Sequence, residues 1–418
     1  MAELPSTPEP LPMRALLAGA RRKQSQLLDL TKKLVLAESP SDSKSAVDAC
    51  MDLAAAHAQS LGGPGFVRVK RHKQRQWGDV LELRFGPKAK SPSSRILVLG
   101  HLDTVWPLGT LKTMPCREAA DSTGQKRLYG PGTLDMKAGV AMALTAIEML
   151  TETGQLSSKS GNEIILLLNS EEEVGSPISR PITEKLAQEC AAVYVLEPAQ
   201  GLAYKTARKG TGNWRIAVNG LAAHAGVDFT RGRSAILELA RQIEKVSAWT
   251  DLQRGTTVNV GVIGGGTKSN VIPAEAWAEI DLRTTRRADG PRFEKRFAVL
   301  KPTLKSGTTL TIEGGMNRPP MERTRGTIQL FRRAQQFAAE LGPDFLPEKA
   351  ASPAALRHYL NEASTGGASD GNFTSALGIP TLDGMGAVGE GAHATHESIL
   401  IDHLAPRTAL LAAMLTTP

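Results

Sequence analysis

Four short apolar segments in the first half of the chain restrict its fold most strongly. Each has the length of a buried strand, and they cover residues 80–85, 96–99, 163–168 and 192–196. An alanine-rich, helix-compatible segment, Lys137 to Glu152, lies between the second and the third, and helical periodicity also runs from Met13 towards Glu38 and from Ser45 to Leu61. Strands that alternate with helices predict an α/β layer with a helix-covered sheet.

The pattern changes after Gly210. Strand-like segments at 213–218, 257–263, 276–283 and 308–313 and helix-like segments at 234–249 and 291–304 follow in the order βαββαβ. This order forms a split βαβ unit that can stand as a small domain. A helical pattern resumes at Thr327. We therefore predict a small domain, 210–318, inserted into a larger catalytic domain made of 1–209 and 319–418, which suits a chain too long for one core.

Composition argues against several classes of protein. The net charge of +8 is modest for 418 residues, and the chain lacks a P-loop or a basic stripe with interleaved aromatics, so a nucleic-acid partner is not expected. No apolar stretch is long enough to span a bilayer, and the run from Ala15 to Ala20 is too short for a signal peptide. Three cysteines without CxxC spacing, Cys50, Cys116 and Cys190, are typical of free thiols, which predicts a cytoplasmic protein.

Polar residues follow the predicted strands directly. In LVLGHLDTV a strand leads into His101 and Asp103, and such an aspartate can hold the second ring nitrogen of a metal-bound histidine. A hydrogen-bonded histidine at a strand end fits this motif equally well. In YGPGTLDMKAG, glycines surround Asp135, which is also consistent with a helix-capping aspartate.

Three consecutive carboxylates at a strand end are harder to explain without a cation. Glu171, Glu172 and Glu173 follow the apolar run of LLLNSEEEVGS, where buried like charges would repel one another. A solvated acidic loop is the alternative. Two further segments are unremarkable by themselves: VYVLEPA places Glu197 after a strand, and GEGAHATHES offers His393 and His396.

Taken together, these residues indicate a metal centre. Histidines and carboxylates without thiolates are the ligand set of catalytic zinc. Two zinc ions carry four positive charges, and Asp135, Glu173 and Glu197 supply three negative ones, so a bridging hydroxide would bring the centre near neutrality.

The order of the motifs resembles that of a known family, the zinc aminoacylases and carboxypeptidases, which includes acetylornithine deacetylase, succinyl-diaminopimelate desuccinylase and glutamate carboxypeptidase. The segments that carry the resemblance are HLDTV, GPGTLDMKAG, SEEEVGS, VLEPA, GLAAHAG, SNVIPAEA and GAHATHE. The glutamate carboxypeptidase branch is the most similar. The resemblance implies a catalytic domain with a mixed central sheet flanked by helices, a ferredoxin-like lid that forms a homodimer, and two zinc ions per chain.

The resemblance also implies a role for each metal-site residue. One zinc would be bound by His101 and Glu197, the other by Glu173 and His393, and both by Asp135. Asp103 would orient His101. Glu172 falls at the position of the general base, and the Val-Gly-Ser that follows the triplet favours this register over one that assigns Glu171. His393 is preferred over His396 because it follows Gly-Ala.

Five further residues are implied to contact the substrate. His224, in GLAAHAG, would polarise the scissile carbonyl, and Asn270 and Arg283 would hold a substrate carboxylate. Gly366 and Gly367 would supply backbone donors. The predicted function is cleavage of the amide bond to a C-terminal amino acid in a peptide or small molecule. An N-acyl amino acid deacylase and an inactive binding protein of the same fold are the alternatives.

Overall fold

The computed structural model describes residues 11–417 except 64, 158, 160 and 347–358. The chain divides into a larger unit, Met1–Thr206, Arg323–Ser364 and Ser369–Pro418, and a smaller unit, Ala207–Glu322 and Thr365–Ala368. The smaller unit thus begins and ends slightly outside the predicted 210–318 and takes up a short segment from much later in the chain. Backbone hydrogen bonding explains that segment, because the amide of Lys209 donates to the carbonyl of Thr365.

A six-stranded mixed sheet forms the centre of the larger unit. Its order is β1-β2-β6-β3-β7-β14, in which β3, β6, β7 and β14 are parallel and β1 and β2 antiparallel. The strands are β1 (Val67–His72), β2 (Val80–Phe85), β3 (Arg95–His101), β6 (Glu163–Asn169), β7 (Ala192–Val195) and β14 (Thr381–Leu382). The fold-class prediction is confirmed, and the four apolar segments are β2, β3, β6 and β7, each within two residues of the predicted bounds.

Helices cover this sheet and account for most of its core. They are α1 (Met13–Leu36), α2 (Lys44–Ser60), α3 (Ala138–Glu152), α4 (Arg180–Gln188), α7 (Arg325–Leu341), α8 (Gly371–Ala376) and α9 (Leu404–Thr416). Helices α3 and α9 are buried along almost their whole length, which explains why their sequences are apolar on every side. Among the described helices, none is both long and apolar enough to cross a membrane.

Short strands complete the larger unit and were not predicted. A second sheet has the order β15-β16-β5-β4, and β8 pairs with β13 in a two-stranded sheet. These strands are β4 (Arg117–Ala120), β5 (Lys126–Tyr129), β8 (Tyr204–Arg208), β13 (Glu362–Thr365), β15 (Gly389–Glu390) and β16 (Ser398–Leu400). Segments of two to five residues are too short to show a periodicity, so the sequence carries little signal for them.

The smaller unit has its own sheet and core. Strands β9 (Gly210–Asn219), β10 (Thr257–Gly265), β11 (Glu275–Thr284) and β12 (Thr309–Arg318) form an antiparallel sheet of order β10-β11-β9-β12. Helices α5 (Ala235–Ser247) and α6 (Asp289–Ala298) pack on it, and Trp214 stacks on Phe297 with ring centroids 4.3 Å apart. The βαββαβ order is as expected. Helix α6 ends earlier than the predicted residue 304, because the prediction ran through Pro302, which a helix interior does not tolerate.

Candidate metal centre

His101 occupies the carboxyl end of the buried strand β3. Its ring Nδ1 lies 3.0 Å from the carbonyl oxygen of Asp103 and 3.4 Å from that residue's carboxylate Oδ1. Its Nε2 lies 3.2 Å from Oδ1 of Asp135. Burial lowers the pKa of the imidazole, but the carboxylates of Asp103 and Asp135 outweigh burial and hold the pKa of His101 well above its usual range. The surroundings of Nε2 therefore favour a positive charge.

Asp135 faces two histidines at once. While its Oδ1 approaches His101, its Oδ2 lies 3.3 Å from Nε2 of His393. The loop that presents it turns at Gly132, which has a φ of 69°. Although burial raises the pKa of Asp135, the two imidazoles lower it far below the usual range, so this carboxylate is ionised. A carboxylate that turns one oxygen to each of two imidazoles has the geometry of a bridging ligand.

Glu173 and Glu197 complete the two sides of this arrangement. Oε2 of Glu173 lies 3.1 Å from Nε2 of His393, and Oε1 of Glu197 lies 3.8 Å from Nε2 of His101. Burial raises the pKa of Glu173, against the opposing effect of His393. Asp135 and Glu173, as hydrogen-bond acceptors, raise the pKa of His393 to about 11.

The donor set fits divalent metal ions. Zinc binds histidine nitrogen and carboxylate oxygen at about 2.0–2.2 Å, so tetrahedral neighbours lie about 3.3 Å apart. The separations of 3.1–3.8 Å among these nitrogen and oxygen atoms are of that size. Within the described residues, two groups keep their ligand atoms within 4.8 Å of one another: His101, Glu172 and Glu197, and His101, Asp135 and Glu173.

The acidic triplet separates into three environments. Glu171 is fully buried, and its carboxylate accepts hydrogen bonds from the backbone amides of Ser179 (2.6 Å) and Ile178 (3.0 Å). Because its carboxylate already accepts these backbone hydrogen bonds, Glu171 is poorly suited to carry a proton. The amides of Glu172 and Glu173 donate to the two carboxylate oxygens of Asp103, at 3.1 and 3.2 Å, and each side chain belongs to one of the two ligand groups around His101.

His393 reaches the cluster through an unusual backbone conformation. Its φ is 61°, in the left-handed region that residues other than glycine rarely adopt, and it follows Gly391 with a φ of 79°. His396, the second histidine of this loop, is exposed and lies over Gly391. The structure thus brings His393 within 3.3 Å of Asp135 and 3.1 Å of Glu173.

One residue that contacts this centre was missed by the sequence reasoning. Glu397 is fully buried, and its carboxylate accepts hydrogen bonds from the indole of Trp106 and from three amides of the Asp135 loop. The sequence carries one indication that Glu397 could be such a residue, because this glutamate stands directly before β16.

The predicted substrate residues all lie in the smaller unit. Nδ1 of His224 accepts hydrogen bonds from the amides of Gly226 (3.1 Å) and Val227 (3.2 Å), and the carbonyl of Asn270 accepts one from the amide of Ala225. His224 and Asn270 are therefore on adjacent segments.

Arg283 forms a second group in the smaller unit. Its Nε and Nη2 both pair with the carboxylate of Asp281 at 2.8 Å, while Nη1 lies 3.4 Å from the carbonyl of Gly366. The neighbouring carbonyl of Gly367 accepts from Arg208 at 3.1 Å. The sequence reasoning did not identify Asp281 as the partner of this arginine.

A cluster of imidazole and carboxylate groups near the carboxyl ends of parallel strands is typical of a metal-dependent hydrolase. The chain belongs to the peptidase family M20/M25/M40, whose model matches residues 97–417. It is 26% identical over 406 residues to carboxypeptidase G2 of Pseudomonas sp. strain RS-16, which covers 96% of this chain and 91% of that protein. It is 25% identical over 322 residues to a succinyl-diaminopimelate desuccinylase of Stenotrophomonas maltophilia, with 74% and 80% covered.

Solved structures share the fold. The aminopeptidase PepT of Bacillus cereus superposes with a TM-score of 0.71 at 22% identity, covering 94% of this chain and 98% of that one. The YXEP protein of Bacillus subtilis, described as a dinuclear metal binding peptidase, superposes with a TM-score of 0.63 at 13% identity, covering 95% and 98%.

Proposed function

We propose that the protein is a two-zinc hydrolase that cleaves the amide bond to a C-terminal amino acid, in the manner of a glutamate carboxypeptidase. The observation that carries the proposal is Asp135, whose two carboxylate oxygens face His101 and His393 separately. The similarity to carboxypeptidase G2 along almost the whole chain supports a carboxypeptidase.

The residues present would hold two ions. His101 and Glu197 would bind one, Glu173 and His393 the other, and Asp135 both. When bound, such ions polarise an amide carbonyl and lower the pKa of a water molecule, which supplies the nucleophile. Cobalt or manganese suits the same donors, so zinc is part of the proposal.

Glu172 would move the proton. Its backbone is fixed by the hydrogen bond from its amide to Asp103, and its side chain is largely buried beside His101 and Glu197. A carboxylate in this place can accept the proton of the attacking water and return it to the leaving amine. Glu171 cannot take this role, because its oxygens already accept backbone amides.

The hydrogen bonds of His224 favour the tautomer that can donate from Nε2. Because its Nδ1 accepts two backbone amides, the neutral ring carries its proton on Nε2. An Nε2–H donor can stabilise the oxyanion that forms when the carbonyl is attacked. Asn270 and Arg283 would bind the free carboxylate of the substrate, with the backbone of Gly366 and Gly367 beside them. Asp281 accepts from the Nε/Nη2 edge of the guanidinium. A second carboxylate could therefore pair with the Nη1/Nη2 edge.

A homodimer through the smaller unit and a cytoplasmic location are also part of this proposal. Strand β10 is an edge strand of its sheet and exposes Val262 and Ile263, which are 48% and 65% accessible. Apolar side chains on an unpaired edge favour addition of a second strand. Three unpaired cysteines are consistent with a reducing compartment.

An N-acyl amino acid deacylase is the second candidate, and the similarity to a desuccinylase favours it. The two activities share one chemistry and differ in the group on either side of the amide. A hydrolysis screen that varies the acyl group and the C-terminal residue separately distinguishes them, because it shows which side governs kcat/KM.

The same screen tests the mechanism. We expect hydrolysis to stop with a chelator and to return with zinc, and Glu172→Gln to lower kcat by about 10²–10⁴-fold while zinc binding persists. Glu184→Gln, on the surface helix α4, serves as the matched control and should leave kcat unchanged. Chelator-insensitive hydrolysis would contradict the metal mechanism. Zinc binding without hydrolysis of any substrate would instead indicate an inactive binding protein.

A further inference from the structure

Glu397 connects two of the loops that carry the candidate metal ligands. It stands four residues after His393 and immediately before β16, with no exposed surface. Oε1 accepts from the amides of Leu134 (2.8 Å) and Asp135 (3.1 Å), and Oε2 from the amide of Gly132 and the indole of Trp106, both at 2.9 Å. Three of these four donors belong to the loop of Asp135.

The chemistry of this contact is specific for a carboxylate. All four partners are N–H donors, and an ionised carboxylate is a pure acceptor with room for four of them. A glutamine of the same shape would turn its own N–H groups towards two of these donors. Glutamate can therefore accept all four hydrogen bonds, whereas glutamine cannot. Because the two side chains have nearly the same volume, Glu397→Gln tests the hydrogen bonds and not the packing.

The backbone of Glu397 is held as firmly as its side chain. Its carbonyl accepts from the amide of Gly130, at the other end of the Asp135 loop, and its amide donates to the carbonyl of Ala394, next to His393. Displacing Glu397 would thus shift Asp135 and His393 together.

We propose that Glu397 is the positioning residue for the bridging carboxylate: it fixes the Asp135 loop so that one oxygen faces His101 and the other faces His393. This rests on the proposed metal function. A bridging ligand must satisfy two ions with one rigid group, so its orientation matters more than that of a terminal ligand. Groups that orient metal ligands typically contribute 10- to 100-fold to metal affinity.

Zinc binding measured by competition with a chromophoric chelator tests this proposal, together with the visible spectrum of the cobalt-loaded protein. We expect Glu397→Gln to weaken zinc binding about 10- to 100-fold and to change the cobalt spectrum. Trp106→Phe removes one of the four donors and should weaken binding less. Glu390→Gln, which changes an exposed glutamate at the end of β15, is the control and should bind zinc as the wild type does.

The outcomes separate two failures. If Glu397→Gln binds two ions with wild-type affinity and spectrum, the positioning role is wrong, while metal-dependent hydrolysis by the wild type still stands. If the wild type binds no metal, the proposed function itself fails. Should Glu397→Gln not fold, Trp106→Phe decides, and unchanged affinity there overturns the proposal.

Discussion

At the scale of single residues, Asp103 shows how one carboxylate organises several others. It contacts the ring of His101, accepts the amides of Glu172 and Glu173, and accepts the hydroxyl of Ser41 at 2.7 Å. The sequence predicted only the first of these contacts, because only His101 is close in the chain. The position of the acidic triplet is thus fixed by a residue about seventy positions away, which no local pattern reveals.

His224 gives a prediction at the same scale. Because two backbone amides occupy its Nδ1, the role proposed for the side chain would depend on a donor at the Nε2 position. His224→Ala should lower kcat by about 10²–10³-fold, the usual effect of losing one oxyanion donor. His224→Gln keeps an N–H donor on a side chain of similar reach and should retain more activity. Steady-state kinetics measure both, and equal kcat in the wild type and His224→Ala would contradict the role.

At the scale of secondary-structure elements, the sequence succeeded where apolar runs were long. Strands β2, β3, β6 and β7 and helices α1 to α3 have clear periodicity, and the structure has them within about two residues of the prediction. The two-residue strands β14 and β15 form through pairing with distant segments, so tertiary contacts decide them. The same reason hid Glu397, whose partners come from a loop more than 260 residues earlier.

The packing of α3 against the residue that follows β7 makes Gly139 a sensitive position. A Cβ added there would lie 2.4 Å from the carbonyl oxygen of Leu196, the residue before Glu197. Gly139→Ala should therefore destabilise the fold by about 1–3 kcal/mol and also weaken zinc binding, because Glu197 must move. Gly19→Ala, on α1, is the control: its Cβ would meet only flexible side chains, those of Met149 at 3.4 Å and Arg22 at 3.8 Å. That variant should keep or raise the stability measured by denaturant unfolding, and similar losses in both variants would contradict the argument.

The start of β6 carries an acid-sensitive contact. Glu163 is 1% exposed and pairs with Arg68 and Arg95, each at 2.8 Å. Burial raises the pKa of Glu163, but the arginines outweigh it and lower the pKa below its usual value. A carboxyl with a lowered pKa stabilises the fold above its unfolded pKa of about 4.3, and that contribution disappears as the pH falls through the folded pKa.

We therefore expect Glu163→Gln to lower the free energy of unfolding by about 1.5–3 kcal/mol at pH 7, the usual range for hydrogen bonds to charged groups. The difference from the wild type should shrink progressively below about pH 4.3. Urea unfolding at a series of pH values measures it. Glu184→Gln, which loses one partly exposed pair with Arg180, should show a much smaller effect. A constant difference between Glu163→Gln and the wild type from pH 7 to pH 3 would exclude this explanation.

At the scale of the whole molecule, the candidate metal ligands come from segments that span almost three hundred residues, from His101 to His393. The sequence could identify them because each stands at a strand end or in a glycine-rich loop, and because their order matches a family. Their mutual distances followed only from the sheet order, in which β3 lies between β6 and β7. Contacts such as Glu397 with Trp106 depend on the complete tertiary structure, so neither periodicity nor motif order predicts them.

The division into two units leads to a last prediction, which concerns unfolding. Each unit has its own hydrophobic core, and the clustered ligands, with several carboxylates close together, belong to the larger unit alone. Ions that bind only the folded larger unit stabilise it by about 4 kcal/mol when their concentration is a thousand times their Kd, and they also relieve the repulsion between carboxylates.

Calorimetry should therefore show that zinc raises the midpoint temperature at which the larger unit unfolds and leaves that of the smaller unit unchanged. Asp135→Asn should abolish the rise, because it removes the carboxylate that both ions would share in the proposed centre. Equal shifts of both transitions would mean that the metal does not act through this centre, since the smaller unit contains none of its ligands.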